Sequence, residues 1–167
     1  MNNELMFSSD NMEWETPPWL VKAVEEQLVG QPFTLDACAK TAKVSKAPSF
    51  YSPKEDALNQ AWEGIVWMNP PYGRTIIKWT DKAYTEAVVG ATVACLLPAR
   101  TDTRFFHDVC VKGNVYLIKG RILFEIDGKP ITDKKGRPTS APFPSMVAVL
   151  GGPNAKKPSI KPWVVKP

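Results

Sequence analysis

Three apolar runs of strand length, Ile65 to Met68, Thr92 to Leu97 and Val115 to Ile118, are separated by two segments with a helical apolar period, and this alternation restricts the fold most. In the first segment Ile76, Ile77, Ala83, Tyr84, Ala87 and Val88 share one helical face. In the second, Thr101 or Asp102 can cap a helix carrying Phe105, Phe106 and Val109. Strands joined by helices imply crossover connections, hence an α/β fold with a largely parallel sheet and ligands at the carboxyl ends of its strands.

The flanking segments fit this frame. Thr16 is the expected N-cap of a first helix, with Pro17 at its first position, a stripe of Trp19, Leu20, Ala23, Val24 and Leu28, and Gly30 as its stop. A short strand is expected from Phe33 to Asp36. Residues 37 to 60 carry weak periodicity broken by Pro48 and Pro53, and read as a long functional loop with a helical turn in Asp56 to Trp62. So little chain before Ile65 predicts a trimmed sheet. Strand-like runs at Ile122 to Ile126 and Ser145 to Leu150, with Asp127-Gly128 between them, predict a C-terminal antiparallel hairpin with a long basic connection. The expected organisation is a flexible arm over 1–13, one domain over 14–152 and an extended basic tail over 153–167.

A chain of 167 residues with 44% hydrophobic content can build a core without disulfide or metal support. Cys38, Cys95 and Cys110 are odd in number and lack metal-ligand spacing, and His107 stands alone, so no metal is expected. Cys95 reads as a buried core residue. No run is long enough to span a bilayer and the N-terminus lacks a signal-peptide pattern, so a cytoplasmic setting is expected.

Chemistry concentrates where the first apolar run ends, at Asn69-Pro70-Pro71-Tyr72-Gly73. An exocyclic amino nitrogen is a poor nucleophile because its lone pair is delocalised into the ring. The side-chain oxygen of Asn69 and the carbonyl of Pro70 can each accept one of its hydrogens and localise that pair. Pro71 stiffens the platform, and Tyr72 offers a flat face on which an unstacked base can lie. On this reading loss of the ring in Tyr72→Ala should slow methylation strongly, whereas Tyr72→Phe should be mild. The pattern suggests methylation of a planar amino nitrogen. With no cysteine beside the tetrapeptide to form a covalent adduct, the methyl group is expected to transfer directly.

Further motifs follow in one order: Trp14-Glu15-Thr16-Pro17-Pro18, Leu35-Asp36-Ala37-Cys38-Ala39, Asp56-Ala57-Leu58, the tetrapeptide, Leu97-Pro98-Ala99-Arg100-Thr101 and Gly120-Arg121-Ile122-Leu123-Phe124. The series resembles the phage-type DNA N6-adenine methyltransferase (Dam) family over roughly residues 14 to 150. The resemblance implies a Rossmann-like methyltransferase fold, S-adenosylmethionine as donor and protection of viral DNA from restriction, in a host cytoplasm. It also implies that the element of Asp36, Ala37 and Cys38 binds the cofactor and that Thr16, with Trp14 and Pro17, contacts its methionine end. Physically, Asp36 can hold ammonium or hydroxyl groups, Asp56 can accept from the cofactor's adenine amino group, and free N–H groups at the start of the Thr16 helix suit a carboxylate. Asn69 must lie beside the donor. One departure stands out: no glycine-rich turn follows Asp36, and no glycine occurs between Asp36 and Gly64.

The net charge is +4, but residues 129 to 167 hold eight basic side chains against one acidic, Asp133. A polyanion would be steered to that end. Arg74, Arg100, Thr101, Arg104, Arg121, Lys134, Lys135 and Arg137 are the candidate DNA contacts, and the connection from Asp127 to Pro144 the expected reader of sequence. DNA is the expected partner, with no obligate protein partner evident. Two other readings stay open: methylation of another planar nitrogen, such as protein glutamine or cytosine N4, and a nucleic-acid-binding module without turnover.

Overall fold

The computed structural model describes residues 14–153 and 157–166, so the arm expected over 1–13 and Lys156 lie outside the described residues. At its centre are β3 (Ile65–Met68) and β4 (Thr92–Pro98), parallel partners joined through helix α2 (Ile76–Val89). The seven-stranded sheet extends from them on both sides. On one side lie β1 (Leu35–Asp36) and β2 (Ser49–Phe50), both parallel to β3. On the other lie β8 (Ser145–Leu150), β5 (Asn114–Ile118) and β9 (Ser159–Trp163), giving the order β2-β1-β3-β4-β8-β5-β9. Only β8 runs against its neighbours.

The strand–helix alternation is therefore realised, and the sheet is mostly parallel as expected. Strand alternation splits the core into two layers. Val66, Met68, Val93, Cys95 and Leu97 pack with Ile76, Ala83, Phe105 and Phe106 on one face. Trp67, Ala94 and Leu96 meet Leu20, Val24 and Phe33 on the other. Helix α1 (Pro18–Val24), continued by a π-helical turn to Val29 and stopped by left-handed Gly30, covers that second face. Cys95 is fully buried.

Several local expectations are corrected. Helix α1 starts at Pro18 with Pro17 as its N-cap, whose side chain has no polar atom to cap with, while the Thr16 hydroxyl accepts from Asn69 instead. Its start is also poor in donors: Pro17 and Pro18 have no N–H, and the N–H groups of Leu20 and Val21 turn back to the Pro17 carbonyl. Val88 is 68% exposed, the buried face of α2 being formed by Ile76, Thr80, Ala83 and Glu86. Glu86 takes an apolar position because its carboxylate accepts from the Trp62 N–H and pairs with Lys82. Neither Thr101 nor Asp102 caps α3 (Arg104–Asp108), whose N-cap is Thr103.

The expected hairpin is smaller than the sequence suggests. Its ladder is β6 (Glu125–Ile126) with β7 (Lys129–Pro130), across a turn in which Asp127 and Gly128 both have positive φ, followed by one isolated antiparallel bridge between Thr132 and Pro138. Ser145–Leu150 instead enters the main sheet between β4 and β5, where its unbroken apolar sequence is buried on both faces. Residues 153–167, expected to be an extended tail, contain β9. Its Trp163 is buried and donates from Nε1 to Gln27.

Candidate active site

The carboxyl ends of β1, β3 and β4 open side by side into one cleft of about 950 Å³. Its lining includes the residues that follow each strand: Asp36 to Ala39 after β1, Asn69 to Arg74 after β3, and Arg100 after β4. Of the residues expected at a site, Trp14, Thr16, Asp36, Ala37, Cys38, Asp56, Asn69, Pro70, Pro71, Tyr72, Arg74 and Arg100 meet here. Pro17, Thr101, Arg104, Arg121, Lys134, Lys135 and Arg137 lie outside the lining.

Asn69 is the first residue beyond β3, and its side chain is held at both ends. Its Nδ2 donates to the Thr16 hydroxyl at 3.2 Å, while its Oδ1 accepts from the Tyr72 hydroxyl at 2.9 Å. The same hydroxyl lies 3.1 Å from the Leu96 carbonyl. That second partner follows from the ladder. The register Met68↔Cys95 would next require the N–H of residue 70 on the Leu96 carbonyl, and residue 70 is proline. The Tyr72 hydroxyl supplies the missing donor. Phe143 meets the Tyr72 ring edge-on at 5.4 Å, and burial holds the phenol well above its ordinary pKa. The Tyr72 hydroxyl thus has two partners, which the reading of its ring as a stacking face did not anticipate.

Asp36 is 4% exposed. Its Oδ1 accepts from the Cys38 N–H at 3.0 Å and its Oδ2 from the Lys46 N–H at 2.9 Å. One carboxylate thus ties down both ends of the loop from Cys38 to Lys46, and a further lone pair on each oxygen stays available. Burial raises its pKa, with the two backbone N–H bonds opposing. Asp56, at positive φ, accepts from Asn59 Nδ2 at 2.6 Å while lining the cleft. Trp14 stacks on Phe124 with ring centres 5.6 Å apart, and both line the cleft.

The cleft also holds neighbours that the sequence reading did not bring together. Cys38, expected only as part of the Asp36 element, also receives a hydrogen bond from the Asn69 backbone, although no cysteine adjoins the tetrapeptide in sequence. Burial, and then the negative charge of Asp36, push its thiol well above the usual value, so it stays protonated and a poor nucleophile. Lys40, Lys43 and Lys46 share the lining. Their three-residue spacing in a segment read as a functional loop was the signal available for finding them.

Two candidate phosphate contacts already have intrachain partners. Arg137 binds Asp133 through two nitrogens, at 2.8 and 2.9 Å, and Arg104 lies 3.4 Å from Asp108. Among the described residues no group of three or more His, Cys, Asp or Glu is placed to hold a metal ion, and no helix is long and apolar enough to cross a membrane.

A mostly parallel sheet with one reversed strand, and a roomy cleft across three adjacent strand ends, define an α/β protein of the Rossmann-like methyltransferase class. The sequence pattern of the family described as DNA N-6-adenine-methyltransferase (Dam) matches residues 6–164, and the chain belongs to that family. It is also similar to a protein of Escherichia phage T1 named DNA N-6-adenine-methyltransferase, with 28% identity over 129 residues, 66% of this chain. The matched stretch spans 52% of the phage T1 relative.

Proposed function

We propose that the chain transfers a methyl group from S-adenosylmethionine to the N6 amino group of adenine in DNA. The observation that carries this reading is the Asn69 carboxamide, fixed at the end of β3 and opening into the same cleft as Asp36 at the end of the adjacent strand. Asn69 Oδ1 retains a lone pair beyond the one used by Tyr72, and with the Pro70 carbonyl it can take both hydrogens of an amino group. A cleft of about 950 Å³ has room for a cofactor and an extruded base together.

The lining suits the cofactor. Asp36 and Asp56 offer acceptors for its ammonium, hydroxyl or adenine amino groups, and Trp14 with Phe124 offers an apolar wall. When bound, it supplies an electrophilic methyl group. The chain's own contribution is to hold the amino nitrogen: Asn69 and Pro70 localise its lone pair, and Tyr72 supports the ring with its own orientation set by Phe143 and the Leu96 carbonyl. Burial and the charge of Asp36 both disfavour the Cys38 thiolate, which supports direct transfer over a covalent adduct. Arg74, Arg100 and the loop lysines Lys40 and Lys46 place positive charge on the rim suited to the phosphates flanking the base, while Lys43 is paired with Asp127.

The test is incubation with isotope-labelled S-adenosylmethionine and unmethylated DNA of mixed sequence, beside an Asn69→Ala control, followed by digestion to nucleosides and mass spectrometry. Labelled N6-methyladenine with the wild type alone is the expected result. Label on N4-methylcytosine would redirect the reading to another ring, and no labelled nucleoside despite cofactor binding would redirect it to a substrate other than DNA.

A further inference from the structure

We propose that Thr16 is a positioning residue for the reaction: together with the Tyr72 hydroxyl it grips the Asn69 carboxamide at its two ends and presets the plane in which that amide meets the target amino group. The proposal rests on the reading of Asn69 as the amino-group acceptor. It gives Thr16 a task distinct from capping α1 and from touching the cofactor.

Asn69 sits where the sheet releases the chain. Proline at 70 ends the β3–β4 ladder, so backbone pairing to β4 no longer fixes the residues beyond Met68. The terminal torsion of an asparagine side chain is broad, and an ungripped carboxamide would rotate at this point. Two hydroxyls prevent it. Thr16 arrives from 53 residues earlier in the chain, is 2% exposed, and is anchored by α1, whose Leu20 and Val24 are fully buried. Tyr72 comes from the same turn as Asn69 and is itself braced on Leu96 of β4. The acceptor is thus held between the start of α1 and the central strand.

The Tyr72 partner adds a second feature. A phenol has one proton, which Asn69 Oδ1 and the Leu96 carbonyl share. When a target amino group presses its own hydrogen onto Oδ1, the Leu96 carbonyl can keep the tyrosine proton. The grip loosens at the oxygen end without leaving a buried donor unpaired, while Thr16 holds the nitrogen end throughout. Orientation of this kind lowers the barrier without adding affinity for either ligand.

The experiment uses the full chain carrying Thr16→Val, close in shape but without the hydroxyl, and Thr16→Ser, which keeps it. Thr16→Ala serves if the valine chain does not melt cooperatively. Three quantities are read: the single-turnover methylation rate at saturating ligands, the cofactor dissociation constant by calorimetry, and the Asn69 side-chain NH2 resonances, assigned as the pair missing in Asn69→Ala. Thr16→Val should lower the rate about tenfold or more with cofactor affinity within about twofold. Its Asn69 resonances should move towards those of a solvent-exposed amide, and Thr16→Ser should restore both. Unmoved resonances in Thr16→Val, or weaker cofactor binding with an unchanged saturated rate, would overturn the proposal. If Asn69→Ala methylates as fast as wild type, the acceptor reading itself fails, and the resonances still report separately whether Thr16 holds the amide.

Discussion

Asp36 concentrates two demands on one side chain. Its carboxylate is buried, yet each oxygen accepts a backbone N–H from the loop that forms one wall of the cleft. Replacing it with asparagine turns one oxygen into an NH2 group facing an N–H, so one donor loses its acceptor. Asp36→Asn should cost ~1 to 3 kcal/mol in urea unfolding and weaken S-adenosylmethionine in calorimetry more than DNA. The pH dependence has a definite sign. Burial raises the folded-state pKa above the ordinary aspartate value of 3.8, against the opposing N–H bonds, so the folded state binds the proton more tightly than the unfolded chain. The stability that Asp36 contributes is therefore complete below 3.8 and is lost as pH rises through the folded-state value. Urea melts of wild type and Asp36→Asn should show the wild type gaining on the variant as pH falls from neutral towards 3.8. A constant difference would mean that Asp36 titrates normally.

At the scale of elements, Pro70 decides how β3 ends and what Tyr72 does. The apolar run announced β3, because Val66 to Met68 are buried by packing that local composition already demands. Helix α2 and strands β4, β5 and β8 were legible for the same reason. Less legible was any feature set by a partner distant in sequence. Thr16 reads as a helix cap until Asn69, 53 residues away, takes its hydroxyl, and Ser145–Leu150 reads as half of a hairpin until β4 and β5 enclose it. Cys38, expected at the site through Asp36, comes up against Asn69 only because β1 and β3 lie side by side. The residue types of Asn-Pro-Pro-Tyr pointed to the chemistry, but the ladder bond that proline forgoes appears only with the register. Pro70→Ala should supply an N–H to the Leu96 carbonyl, draw Asn69 towards the sheet and displace the Tyr72 hydroxyl. Stability should change by no more than about 1 kcal/mol, since the gained bond is offset by a freer unfolded chain, while the methylation rate falls severalfold. A variant as active as wild type would show that the Tyr72 contact to Leu96 has no part in holding the site.

Across the whole molecule, the net charge of +4 conceals two positive zones of different character. One is the cleft rim, where Arg74 and Arg100 join Lys40 and Lys46, while Lys43 is already paired with Asp127 at the hairpin turn at 3.0 Å. The other is the connection after β7, where Lys134 and Lys135 are exposed but Arg137 already binds Asp133. A formal count treats all these cations alike. A phosphate does not, because recruiting Arg137 first requires breaking a two-nitrogen pair with a carboxylate. DNA affinity measured by fluorescence anisotropy over a range of salt separates them, since each phosphate contact contributes about 0.9 to the slope of log affinity against log salt. Removing Arg74 and Arg100 together, or Lys134 and Lys135 together, should flatten the slope by up to about 2 and weaken binding at low salt on every sequence alike. Arg137→Ala should leave the slope almost untouched, because its charge is already neutralised by Asp133. If only the rim pair flattens it, the DNA backbone follows the cleft and the connection is left free to contact bases. Slopes unchanged in both double variants would remove these surfaces from the DNA path and, with them, the assignment of the basic C-terminal third to nucleic acid.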